Sequence, residues 1–104
     1  MLTIIADIRT RPGQHHRQAV LDALREIIPT VLKEDGCHGY APLVDHHARV
    51  DFQTCVPDSI TMVEKWESVD HLQAHLQTPH MKAWSEKVKE DVLETRIRIL
   101  EEGV

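Results

Sequence analysis

Cysteine is scarce in this chain. Cys37 and Cys55 are the only two in 104 residues, and no CxxC spacing joins them. That excludes a disulfide framework and a cysteine-rich zinc module, so a reducing, cytoplasmic setting is expected. Basic runs are also missing: 12 lysines and arginines are interspersed among 17 acidic residues, for a net charge of −5. Such a surface does not suit a phosphate backbone, and no nucleic-acid partner is expected. Long apolar runs are absent too. In MLTIIADIRT, Asp7 and Arg9 interrupt the only early candidate and no basic segment precedes it, so neither a signal peptide nor a membrane span is expected. Disorder is disfavoured by an ordinary apolar fraction of 41%. Residues 1–104 are expected to form one domain, which at this size buries roughly two thirds of the surface exposed by the unfolded chain.

What is present is a sequence of periodicities. Leu2–Arg9 reads as a strand with apolar residues on both faces, Ile4 and Ile8 against Ile5. After the turn Arg11-Pro12-Gly13, Gln14–Lys33 takes a helical period with a stripe of Val20, Leu24, Ile27, Ile28 and Val31. Pro29 lies inside that stripe and predicts a kink or break near Arg25–Ile28. Gly36 is placed as a left-handed helix cap. Cys37–Val44 reads as a second strand, at an edge or bulged where Pro42 lacks its donor. Within Asp45–Asp58, Val50–Val56 could extend a hairpin.

Ser59–Trp66 is a third strand with Ile60, Met62, Glu64 and Trp66 on one face. Ser68 is a helix N-cap with Asp70 in the first turn, and Leu72 and Leu76 form the apolar line of the short helix that follows. His71 and His75 stand one turn apart on it. Thr78-Pro79 closes this helix and opens another. Leu93–Leu100 is the last strand, with Leu93, Ile97 and Ile99 to one side. The order β-α-β-β-α-β is the ferredoxin-like α+β arrangement with an antiparallel sheet. Because apolar residues occur at both strand parities, the second sheet face is expected to be covered, most economically by a second copy, giving a homodimer.

Trp66, His75 and His80 are expected to leave their elements toward one cleft, bounded by Trp66, His75 and Trp84. Plainer roles stand beside this. His75 could be a hydrogen-bonded helix residue, His71 exposed or structural, and His80 a partner of backbone groups at the joint between helices. Trp66 and Trp84 could be core. Glu64 could pair across the sheet with Arg96 or Arg98, and Tyr40 could be a simple strand aromatic. A metal ion on His71, His75 and His80 is disfavoured, since no HExxH and no persuasive fourth ligand accompanies them.

The run Glu64-x-Trp66, His71-Leu72, His75 and Thr78-Pro79-His80 resembles the signature of the antibiotic biosynthesis monooxygenase domain family. Asp35-Gly36-Cys37-x-Gly39-Tyr40, IRTRPGQHHRQAVL and LQTPHMKAWSEKVK extend the similarity over essentially the whole chain. It is nearest the bacterial quinol monooxygenase branch. The resemblance implies a dimeric α/β barrel and the oxidation of menadiol-like quinols by dioxygen without flavin, haem or metal, so no cofactor is expected. Asp45–Val56 is longer and more polar than the usual hairpin, which leaves substrate size open.

Such chemistry needs an apolar slot, a base and the exclusion of water, because triplet dioxygen reacts slowly with a closed-shell quinol and faster with its anion. Met62, Leu72, Met81, Trp66 and Trp84 suit the slot, with Tyr40, His71 and His80 as further substrate contacts. His75 is the expected base, and Glu64 would orient a histidine or hold the second oxygen. Two other functions fit the same fold: a haem-degrading or isomerase member, and a non-catalytic dimeric protein that binds quinones under stress.

Overall fold

A computed structural model describes every residue from Met1 to Val104. It contains β1 (Leu2–Thr10), α1 (Gln14–Val31), β2 (Cys37–Leu43), β3 (Ser59–Trp66), α2 (Val69–Leu76), α3 (Pro79–Lys87) and β4 (Val92–Leu100). The strands form one antiparallel sheet in the order β2-β3-β1-β4. This is the expected ferredoxin-like plan, with the second helical region split in two at Thr78-Pro79. Ser68 and Thr78 cap the split helices, each side chain accepting a backbone N–H, from His71 and Met81 respectively.

The core lies on one sheet face. Ile4, Ala6 and Ile8 of β1 pair with Glu64, Met62 and Ile60 of β3, and all six are buried. Val20, Ala23, Leu24 and Val31 of α1 close over them. Alternation places the opposite parity on the uncovered face.

Several expectations are corrected. Helix α1 runs through Pro29 without a break. Pro29 falls in its last turns, and the carbonyl it leaves without a partner belongs to exposed Arg25, where water can serve it. Gly36 has φ +81, but it sits in the turn before β2 and not as the cap of α1, which is Leu32. Residues 44–58 contain no strand, so the hairpin extension is absent. Instead, the Asp45 carboxylate accepts from Val56 N–H at 2.6 Å and pins the two ends of this loop. Pro42 does lie in an edge strand, as its missing donor requires.

In α2 the buried positions are Leu72 and His75, whereas Leu76 is 42% exposed. An imidazole occupies the place expected of a leucine. The uncovered sheet face is less apolar than the strand parities suggested: Ile5 and Val63 are interleaved with Asp7, Arg9, Lys65, Arg96 and Arg98. Ile97 and Ile99 pair with Ala6 and Ile4 and so belong to the helix side, yet they stay about half exposed at the sheet's edge.

Candidate active site

The site is built on the helix side of β3, where Glu64 stands between Ile4 of β1 and Tyr40 of β2 in the ladder. Glu64 is buried, and its Oε1 accepts the indole N–H of Trp66 at 2.9 Å. A carboxylate facing the helices cannot reach Arg96 or Arg98, which lie on the other face, so the cross-strand ion pair is excluded. Burial raises the Glu64 pKa, with the Trp66 N–H opposing.

His75 comes down from α2 onto this pair. Its ring lies 4.7 Å from that of Trp66 and 5.3 Å, edge-on, from that of Tyr40 (centroid to centroid). The imidazole is only 1% exposed. Its Nδ1 sits 2.8 Å from Oε2 of Glu34, in the turn after α1, and the same oxygen lies 2.8 Å from Nε2 of His80. An ionised carboxylate can only accept. Both nitrogens therefore carry hydrogen and donate to it, which leaves the lone pair of His75 on Nε2. Burial lowers the His75 pKa below 6.5 and Glu34 opposes this, so near neutral pH the ring is uncharged and its free nitrogen is basic. The hydroxyl of Thr78 donates to the carbonyl of His75 at 2.8 Å and lies 3.2 Å from Nε2 of His80.

Tyr40 and Met81 form the outer boundary, at 7% and 9% exposure, with the phenol donating weakly toward Met81 Sδ at 3.9 Å. Burial, then Glu64 and Glu34, push the tyrosine pKa far above its usual value, so the phenol keeps its proton. Met62 and Leu72 are buried core residues. The expected open slot bounded by Trp66, His75 and Trp84 is therefore not seen as such: Trp66 and His75 pack directly on each other. A concavity of about 330 Å³ runs past Trp84, Met81 and Leu76, and a larger one of about 580 Å³ lies on the far sheet face beside Arg9, Thr61 and Arg96; neither includes Trp66 or His75. Trp84 has a buried indole N–H with no acceptor.

The structure joins Glu64, Trp66, Tyr40, His75, His80 and Met81 into one group. It does not bring His71 there. That ring turns to Ser68, Asp35 and Glu67, so the expected substrate contact by His71 is not seen beside His75, and its structural role is. Glu34 was missed by sequence reasoning. Between Lys33 and Asp35 it reads as part of a solvated charged turn, and only the tertiary fold carries it to α2.

The buried imidazole makes stability depend on pH. Its folded pKa is depressed, so the unfolded chain takes the proton first. The stabilisation is complete above pH 6.5 and is lost as pH falls through the lower folded value. Thermal unfolding followed from about pH 7.5 to about pH 5 should show wild type losing more stability than His75→Phe. Parallel curves for the two proteins would contradict the buried neutral ring.

Comparison with known proteins identifies the family and the fold. A sequence model of the family described as antibiotic biosynthesis monooxygenase matches residues 1–87. The chain is 71% identical, over 100% of both sequences, to the Escherichia coli K12 protein named "Probable quinol monooxygenase YgiN". The crystal structure of PA3566 from Pseudomonas aeruginosa superposes with TM-score 0.80 at 26% identity, covering 99% of this chain and 94% of that one. A Nitrosomonas europaea structure gives TM-score 0.81 over 100% of both chains at 17% identity, a likeness of fold alone. With a family match across most of its length and a full-length relative at this identity, the chain belongs to the antibiotic biosynthesis monooxygenase family.

Proposed function

We propose that this protein is a cofactor-independent quinol monooxygenase that oxidises a reduced, menadiol-like naphthoquinone with dioxygen. The observation that carries the reading is the Glu34–His75 pair, a neutral imidazole of fixed tautomer buried against Trp66 and Tyr40. The 71% identity to a protein named as a quinol monooxygenase supports the substrate class. Tyr40 and Met81, the least enclosed members of the group, part to admit the ring between Trp66 and the helices. Met62, Leu72, His80 and Trp84 complete the surroundings of the bound quinol.

In this mechanism, Nε2 of His75 takes the proton of one quinol hydroxyl. Glu34 stabilises the imidazolium that forms, much as the carboxylate does in a serine-protease triad. The quinol anion gives one electron to dioxygen. The two radicals then combine at a ring carbon, and the resulting hydroperoxide loses water. One quinol and one dioxygen thus yield one hydroxylated quinone and one water. Tyr40, still protonated, donates to an oxygen of the substrate, and the Glu64–Trp66 bond holds the indole face in place.

The protein acts as a homodimer in this reading. Leu93, Ile97 and Ile99 on the edge strand β4 are about half-exposed apolar positions that a second copy would cover. Light scattering should return twice 12.0 kDa, and a monomer at micromolar concentration would refute it.

Oxygen uptake with a reduced naphthoquinone tests the chemistry. His75→Ala should lower turnover by about 10²-fold or more. Glu34→Gln should lower it as well, because the amide keeps an acceptor oxygen for Nδ1–H but carries no negative charge to stabilise the imidazolium. Wild type that binds the quinone without speeding oxygen uptake would identify a binding protein instead.

A further inference from the structure

The residues that follow Glu34 and Trp66 in the chain form a second cluster outside the site. Asp35 lies in the turn before β2, Glu67 directly after β3, and His71 in the first turn of α2. Nε2 of His71 stands 3.5 Å from Oδ2 of Asp35 and 3.7 Å from Oε2 of Glu67. The other oxygen of Glu67 lies 3.4 Å from Nε2 of His38. Asp35, Glu67 and His71 thus converge, each offering a ligand atom within 4.8 Å of the others, while His38 touches only the outer oxygen of Glu67.

The distances are informative. Good N–H···O bonds between such groups are about 2.7–3.2 Å, and these contacts are longer. Tetrahedral zinc holds nitrogen and oxygen ligands at about 2.0–2.2 Å, which sets neighbouring ligands roughly 3.3–3.6 Å apart. The Glu34 cluster differs in this respect, since its two histidines already lie at 2.8 Å from one oxygen, where protons fill the contacts.

His71 is also held in position. Its Nδ1 is 2.7 Å from Oγ of Ser68, which can accept Nδ1–H and so leave the Nε2 lone pair for a ligand bond. The ring rests on Gly36, where a Cβ would come within 2.4 Å of Cγ and Cδ2. The backbone N–H of Glu67 donates to Gly36 O at 2.9 Å, joining the two turns that carry the carboxylates. The imidazole and Glu67 are 31% and 47% exposed and Asp35 is 95% exposed, so an ion can reach them from solvent.

We propose that Asp35, Glu67 and His71 bind a divalent transition-metal ion of the zinc class, with water in the fourth position. Two carboxylates balance its charge, and the imidazole of His71 completes the mixed nitrogen–oxygen set that zinc accepts. The ion takes no part in oxygen chemistry. It clips the turn carrying Glu34 to the turn following Trp66, and so stiffens two walls of the neighbouring site.

The test is calorimetric titration of ZnCl2 into chelator-treated protein, paralleled by CoCl2 with visible absorption as the readout of tetrahedral geometry. One equivalent should bind, with the intense cobalt bands of a four-coordinate site. His71→Ala and Glu67→Gln should each weaken binding by at least about tenfold. His75→Ala, and the double change His46→Ala with His47→Ala, should leave it unaltered. Glu67 is at the surface, so its variant keeps the experiment decisive if His71→Ala fails to fold. No zinc binding, binding unaffected by the Glu67 and His71 changes, or binding lost with His75→Ala would each overturn the proposal.

Discussion

A single carboxylate oxygen, Oε2 of Glu34, accepts from two imidazoles, and the rest of the site depends on that acceptor. A buried histidine without a partner would be costly, since an unsatisfied polar group in the interior loses about 1–3 kcal/mol. With Glu34 in place, His75 can occupy a core position on α2, pressed between Trp66 and Tyr40, and still keep one nitrogen basic. The bond also links distant parts of the chain. It connects the turn after α1 to α2 and, through His80, to the start of α3. The Thr78-Pro79 break thereby acquires a purpose beyond ending a helix, because it turns His80 back toward the same oxygen.

The same group of residues is compact, and that shapes how a substrate can be accommodated. Trp66 and His75 are in van der Waals contact, and the boundary residues Tyr40 and Met81 are nearly buried. In the proposed reading a flat ring would bind by displacing flexible side chains, for which a methionine facing a protonated phenol is well suited. Exclusion of water then needs no separate lid. Glu64 adds rigidity: a carboxyl group held by an indole N–H, with its pKa raised by burial, anchors the tryptophan face from beneath.

Much of this was legible in the sequence. Period-two and period-3.6 patterns located the strands and helices, Ser68 and Thr78-Pro79 marked the helix starts, and the Glu64–Trp66–His75 spacing pointed to one face. The misreadings have physical causes. Pro29 reads as a breaker, but near a helix end its missing bond falls to a solvated carbonyl. Leu76 fits the apolar line of α2 better than His75 does, and only a partner 41 residues away makes the imidazole the better core residue. Glu34 carries no local signal because its role is set by tertiary contact. His71 and His75 share a helix face by spacing, yet Gly36 leaves room for the His71 ring on one side while Glu34 draws His75 to the other.

The basicity of the site depends on where the proton of His75 resides. Nitrogen-15 NMR of the histidine rings near pH 7 reads this directly, because protonated and unprotonated ring nitrogens differ widely in chemical shift. The structure requires a neutral His75 protonated at Nδ1, with Nε2 unprotonated, and requires that this pattern change when Glu34 is replaced by alanine, which removes the acceptor. A ring protonated at Nε2, or an imidazolium at that pH, would contradict it.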